Sequence, residues 1–104
     1  MNLVLAFVAG MLLTNSIPHI VAGAIGEVHM TPFGKKSTPI VNVVWGFVNL
    51  IIGIWVLQAS GGTLNDIFAI SNFSLSFWAG SLIIALSCAW LFGNPNARLP
   101  WFKK

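Results

Sequence analysis

Charge is what this chain has least of. Only 7% of its 104 residues are Asp, Glu, Lys or Arg, against about 25% in a soluble domain. The acids number two, Glu27 and Asp66, and the topology derived below puts them on opposite sides of a membrane, which excludes the paired carboxylates of general acid–base chemistry. One cysteine, Cys88, excludes an intrachain disulfide; inside an apolar stretch it reads as a buried, inert thiol. The two histidines, His19 and His29, share no spacing such as HxxxH or ExxH that puts two ligands on one helix face, so neither metal nor haem is expected and no cofactor is assigned. No serine or cysteine nucleophile has a base at recognisable spacing, and glycine-rich phosphate loops are lacking. The net charge of +3 comes from clusters at the ends of apolar stretches, without the basic stripe of a nucleic-acid binder. The expectation is a protein that is not an enzyme and does not bind nucleic acid.

What is there is hydrophobic sequence, 57% of the chain, with a mean hydropathy of +0.87. Three stretches, about 2–26, 40–58 and 73–92, are each long enough to cross a bilayer, which takes about 20 residues; the tail 93–104 is basic. The predicted fold is therefore an all-α integral membrane protein, a single membrane domain of three transmembrane helices. Pro18 removes an amide donor and crowds the carbonyl of Thr14, so the first helix is expected to kink there. Ser37-Thr38-Pro39 reads as a cap and first turn for the second helix, and Ser60-Gly61-Gly62 as its stop. Ser71-Asn72 would cap the third, which Gly93-Asn94-Pro95 closes. Between the second and third, Thr63 and Asp66 stand at capping-box spacing, with Leu64, Ile67 and Phe68 on one face, predicting a short interfacial helix at about 63–70. Residues 27–39, with Gly34, two prolines and two lysines, read as a loop.

All five basic residues, Lys35, Lys36, Arg98, Lys103 and Lys104, lie outside the apolar stretches: two in the first connection, none in the second, three in the tail. Cytoplasmic segments carry the excess of Lys and Arg, so the N-terminus is expected outside and the C-terminus in the cytoplasm, in a plasma membrane. Trp45 and Trp90 then fall toward the inner interface and Trp55 and Trp78 toward the outer one, while Trp101 anchors the tail with Lys35, Lys36 and Arg98 among the inner headgroups. A cleavable signal peptide is the rival for the first stretch, since Ala22-Gly23-Ala24 resembles a cleavage site. No basic residues precede it, however, and cutting there would leave every cationic flank outside, inverting the charge rule.

That threading gives each polar residue a depth. Asn15 lies near the middle of the first span with His19 one turn further in; Asn49 lies at the middle of the second, with Asn42 two turns earlier on nearly the same face. Ser87 falls in the inner half of the third. Lipid cannot hydrogen-bond to these groups, so a polar cluster of Asn15, His19, Asn42, Asn49 and Ser87 is expected between midplane and cytoplasm, turned toward other helices or toward water. Two readings follow: the cluster holds helices together, or it lines a cytoplasm-facing cavity that binds a small polar solute or relays protons through His19. Gly46 and Gly53 run beside the span-two asparagines, Gly80 lies between Ser76 and Ser87, and Ala6 and Gly10 share small-xxx-small spacing, all seams for close helix approach within or between chains. Glu27 and His29 read as a solvated interfacial pair, and Asp66 as a helix cap.

The residues Asn15-x-x-Pro18-His19, Thr31-Pro32-Phe33-Gly34-Lys35 and Pro39-x-x-Asn42-x-x-Trp45-Gly46-x-x-Asn49 form a pattern that resembles small bacterial three-helix membrane proteins of about a hundred residues. The similarity covers roughly residues 10–53 and implies membership of a bacterial membrane family, with no reaction, ligand or partner. The expected function is a non-enzymatic membrane component acting by helix–helix association, as a homo-oligomer or as an accessory subunit of another membrane protein, with lipids as its surroundings. The alternative is a small oligomeric transporter or channel with its pathway at Asn15, His19, Asn42 and Asn49.

Overall fold

The structure, a computed structural model, describes residues 1–102. Its long elements are three helices, α1 (Leu3–Ala24), α2 (Pro39–Ala59) and α3 (Asn72–Gly93), each long and apolar enough to cross a membrane, with mean hydropathies of 1.7, 2.2 and 1.8. Such a chain is built as a multi-pass membrane protein. Each helix starts on a side chain that accepts one of the free amide hydrogens of a first turn. Asn2 accepts from Leu5 N at 3.0 Å, Thr38 accepts from Val41 N ahead of Pro39, and Ser71 and Ser74 cap each other's amides in a capping box. α1 is continuous through Pro18, and the chain turns out of it at Gly26, whose φ of +78° is open to glycine at little cost.

Two connections differ from expectation. Residues 27–39 are not an irregular loop: β1 (His29–Thr31) and β2 (Gly34–Ser37) pair antiparallel. Thr31 Oγ1 and Ser37 Oγ lie 2.6 Å apart across the pair, buried, and Phe33 N donates to Thr31 Oγ1 at the turn. A hairpin this short is marginal by itself, and it persists because α2 bonds its carbonyls, as described below. The second connection holds only a single 3-10 turn, Asp66–Phe68, where residues 63–70 were expected to be helical. Asp66 Oδ2 accepts from both Thr63 N and Thr63 Oγ1, so the two residues meet, but the turn starts at Asn65 without a side-chain cap, and eight residues give too few propagating bonds to repay helix nucleation.

α1 is the central helix. It packs on both α2 and α3, which do not form a helix pair with each other. At one end Asn2 N donates to Ser60 O, Ser76 Oγ to Leu3 O and Trp78 Nε1 to Ile67 O. There an apolar core of Ala6, Ala9, Leu57, Ile67, Phe73 and Phe77 fills the bundle. At the other end the hairpin meets the tail: Lys35 Nζ donates to Pro95 O and Trp101 Nε1 to Pro32 O, and Lys35 and Arg98 line one surface recess. The cationic residues that are described thus gather at a single end; Lys103 and Lys104 lie outside the described residues.

Candidate functional site

Asn42 organises the cationic end. It is 0% exposed, and its Nδ2 lies 2.9, 3.2 and 3.1 Å from the carbonyl oxygens of His29, Ser37 and Thr38. Carbonyls only accept, so the amide nitrogen must face them and its two hydrogens are shared among three acceptors. The amide oxygen then faces the other way, 2.9 Å from His19 Nδ1. An oxygen acceptor fixes the imidazole: Nδ1 carries the hydrogen, and in the neutral ring Nε2 is left with a lone pair. One side chain on α2 therefore joins α1 to both strands of the hairpin and sets the tautomer of a histidine that is itself 2% exposed.

A second amide pair lies one to two turns away. Asn15 Nδ2 donates to Asn49 Oδ1 at 3.2 Å, and Asn49 Nδ2 donates back to Trp45 O of its own helix at 2.8 Å. The group on α3 that completes this pair is Cys88, whose Sγ donates to Asn15 Oδ1 at 3.3 Å. The neighbouring Ser87 instead donates to Ile83 O within α3 and is exposed. The five residues expected to meet thus form two separate pairs, His19–Asn42 and Asn15–Asn49, with Ser87 in neither. The thiol read as inert takes the serine's place because the face of α3 turned to Asn15 is one residue further along the chain.

The small-residue seams close within the chain. A Cβ built on Gly46 would lie 2.5 Å from Ile20 Cγ1 and 2.9 Å from its amide nitrogen; on Gly53, 2.8 Å from Leu13 Cδ2; on Gly80, 2.1 Å from Phe7 O. Each glycine thus lets α1 approach at a distance no side chain permits. Of the tryptophans, Trp45 packs edge-on against Phe33 of the hairpin turn at 5.3 Å, Trp78 bonds Ile67 O at the opposite end, and Trp55, Trp90 and Trp101 are exposed.

His29 does not stand in a solvated pair with Glu27. Its ring lies 5.4 Å from that of His19 and 4.0 Å from that of Phe92, centre to centre, and its Nε2 is buried without a hydrogen-bond partner. Nothing in the spacing of two histidines ten residues apart signals this meeting; the hairpin brings it about by folding residue 29 back over the end of α1. Burial pushes the His29 pKa below its ordinary value, and the nearby His19 adds to that, while Glu27 opposes it. The unfolded chain therefore binds a proton at His29 more readily than the folded one, so stability falls as pH drops below the unfolded value of about 6.5 and through the lower folded one. Acidification from pH 7.5 to 5 is expected to loosen the hairpin end, seen as faster hydrogen exchange at residues 29–37. In His29→Phe the same acidification should leave that exchange protection unchanged, apart from the intrinsic pH dependence of exchange.

Beside both amide pairs is a cavity of about 140 Å³. Asn15, His19, Trp45, Cys88 and Phe92 line it together with apolar side chains such as Ile84. The indole Nε1–H of Trp45, like His29 Nε2, is buried without a hydrogen-bond partner. Cys88, Phe92 and the indole of Trp45 were not expected at this site. No group of three His, Cys, Asp or Glu side chains that could hold a metal ion occurs among the described residues. No protein-family model, curated protein or solved structure matches the chain.

Proposed function

We propose that this chain is a non-enzymatic, multi-pass protein of a bacterial plasma membrane that acts by associating with other helices in the bilayer, as a homo-oligomer or as an accessory subunit. The observation that carries this reading is how the polar groups are used. Both amide pairs are bonded within the chain, while the outward faces are apolar, among them Val44, Phe47, Ile51 and Trp55 on α2 and Leu75, Leu82, Leu86 and Trp90 on α3. With Gly46, Gly53 and Gly80 already filled by α1, a partner would meet those apolar faces by van der Waals packing. The connections between the helices are too short to hold a soluble domain. The gathering of Lys35, Lys36 and Arg98 at one end supports a cytoplasmic C-terminus and an outside N-terminus, with Pro18 bending α1 and the 63–70 segment lying in the outer interface. Membership of the small bacterial three-helix proteins that its pattern resembles belongs to the same proposal.

A second reading, a small oligomeric transporter or channel, is favoured by one observation, the cavity against Asn15 and His19. A single pair of experiments separates the two. Photo-crosslinking from position 51 or 86 in native membranes is expected to trap a partner or a second copy of the chain, and recovery of uncrosslinked monomer alone would count against association. Solute flux into proteoliposomes that disappears in His19→Leu would favour the conduit.

A further inference from the structure

The hairpin and the tail are fastened together at the cationic end, and each brings a cation to the same place. Lys35 Nζ donates to Pro95 O, and Trp101 Nε1 donates to Pro32 O. Between those two bonds the tail makes a turn in which Ala97 N donates to Asn94 O and Asn96 N to Asn94 Oδ1. Ala97 is 5% exposed, so the turn is seated on the protein. Arg98 follows directly and lines one recess with Lys35, Asn96 and Phe102. Gathering two like charges costs free energy unless an anion joins them. Among the described residues no acid lines the recess: Asp66 belongs to the connection at the opposite end, and Glu27 is not in the wall.

The surroundings specify the anion. Both cationic side chains are exposed, so an incoming group reaches them. Lys35 Nζ has three hydrogens and gives one to Pro95 O, and Pro95 itself lines the recess. The planar guanidinium of Arg98 has the geometry that matches phosphate oxygens. The recess holds about 400 Å³, within the roughly 300–1,000 Å³ of small-molecule clefts, which gives room for a headgroup rather than for one bare ion. A second recess shares Lys35 and Pro95 with it and is walled by Val28, Leu91 and Phe92, so apolar surface begins where the charge ends. A free phosphate would leave that surface bare, whereas a lipid covers it with the start of its acyl chains. We propose that this end of the molecule is a site for one anionic phospholipid, with its phosphate in the recess of Lys35 and Arg98 and its chains entering the bilayer past Leu91 and Phe92. The site rests on the chain crossing a bilayer, and not on its having a protein partner or conducting a solute.

The test places the full chain in nanodiscs of equal parts phosphatidylglycerol and phosphatidylcholine, which differ in net charge, and counts the lipids that stay bound on release into a native mass spectrometer. The expected result is one retained phosphatidylglycerol per chain, favoured over phosphatidylcholine by about twentyfold, as two cations beside an anionic lipid imply. Lys35→Gln and Arg98→Gln should each reduce that preference by about fivefold. Lys36→Gln removes the same charge from the other face of β2, since side chains alternate along a strand, and should leave the preference as it is. Equal retention of the two lipids would overturn the site, as would a loss in Lys36→Gln as large as that in Lys35→Gln, the mark of diffuse attraction to a charged surface. Inorganic phosphate added at the same total phosphate as the lipid should not displace the retained lipid; displacement would mean that the recess takes a soluble phosphate, and the lipid assignment would fall. A chain that did not enter the discs would remove the membrane reading and the site with it, whereas one that enters and shows no preference removes the site alone.

Discussion

Asn42→Leu is expected to cost the protein more stability than the loss of any other side chain. Leucine fills nearly the same volume, so the effect isolates hydrogen bonding. The substitution strands His19 Nδ1–H and removes the donor shared by the carbonyls of His29, Ser37 and Thr38. At about 1–3 kcal/mol for each buried group left unmet, and with the Thr38 carbonyl still bonded to the amide of Asn42 in the helix, the loss should reach roughly 3 kcal/mol or more. Because the same amide fastens the hairpin to α2, the hairpin should detach first, and hydrogen exchange at residues 29–37 should rise before the helices unfold in an SDS titration. Adding His19→Leu removes the stranded donor, so the double variant should lose less than the sum of the two single ones, with a coupling of about 1–3 kcal/mol. Strict additivity would show that the His19–Asn42 bond is not made.

Gly80→Val is expected to separate α3 from α1. A Cβ at position 80 would lie 2.1 Å from Phe7 O, and its counterpart at Gly10 would lie 2.0 Å from Phe77 O. The two helices thus touch backbone to backbone at two reciprocal points, where neither side can yield by rotating a side chain. Overpacking of this kind costs about 1–3 kcal/mol where the surroundings adapt, and here only movement of the helices can relieve it. Since α3 is held mainly by α1, displacement should also break the Cys88–Asn15 contact and expose Cys88. Faster alkylation of Cys88 by a membrane-permeant maleimide is the measurement. Gly93→Ala is the control, because a Cβ there meets nothing within 4 Å; its alkylation rate and SDS midpoint should match the unaltered protein. Unchanged alkylation in Gly80→Val would mean that α3 does not lie against α1 as described.

The two expectations share a cause. Within hydrocarbon no water competes for polar groups and little hydrophobic force separates helix from helix. Specificity therefore falls to buried hydrogen bonds and to glycines that let backbones approach. Asn42 supplies the first at the cationic end, and Gly10 with Gly80 the second along the α1–α3 contact. The apolar core of Ala6, Ala9, Phe73 and Phe77 occupies the far end from Asn42 and adjoins the Gly10–Gly80 contact, so no hydrophobic cluster buffers the loss of the Asn42 bonds.

Much of this was legible in the residues. Long apolar runs bounded by Asn2, Thr38-Pro39 and Ser71 define three helices because capping and hydropathy are local properties. The asparagines and His19 could be singled out as groups that must find partners, since hydrocarbon offers none. How they pair was not legible. Whether Ser87 or Cys88 meets Asn15 depends on the rotation of α3 about its axis, which a nearly uniform apolar sequence leaves open. The hairpin was hidden because its stability comes from a side chain on α2, outside the segment itself. His29 beside His19, and the unpartnered indole of Trp45, follow in turn from that hairpin and from the packing of α1 between its neighbours. Local chemistry thus set the number, length and ends of the helices and named the groups in need of bonds. Long-range packing chose which bonds form and which two groups are left open, because those choices turn on helix rotation and on one cross-link between distant segments that no local pattern records.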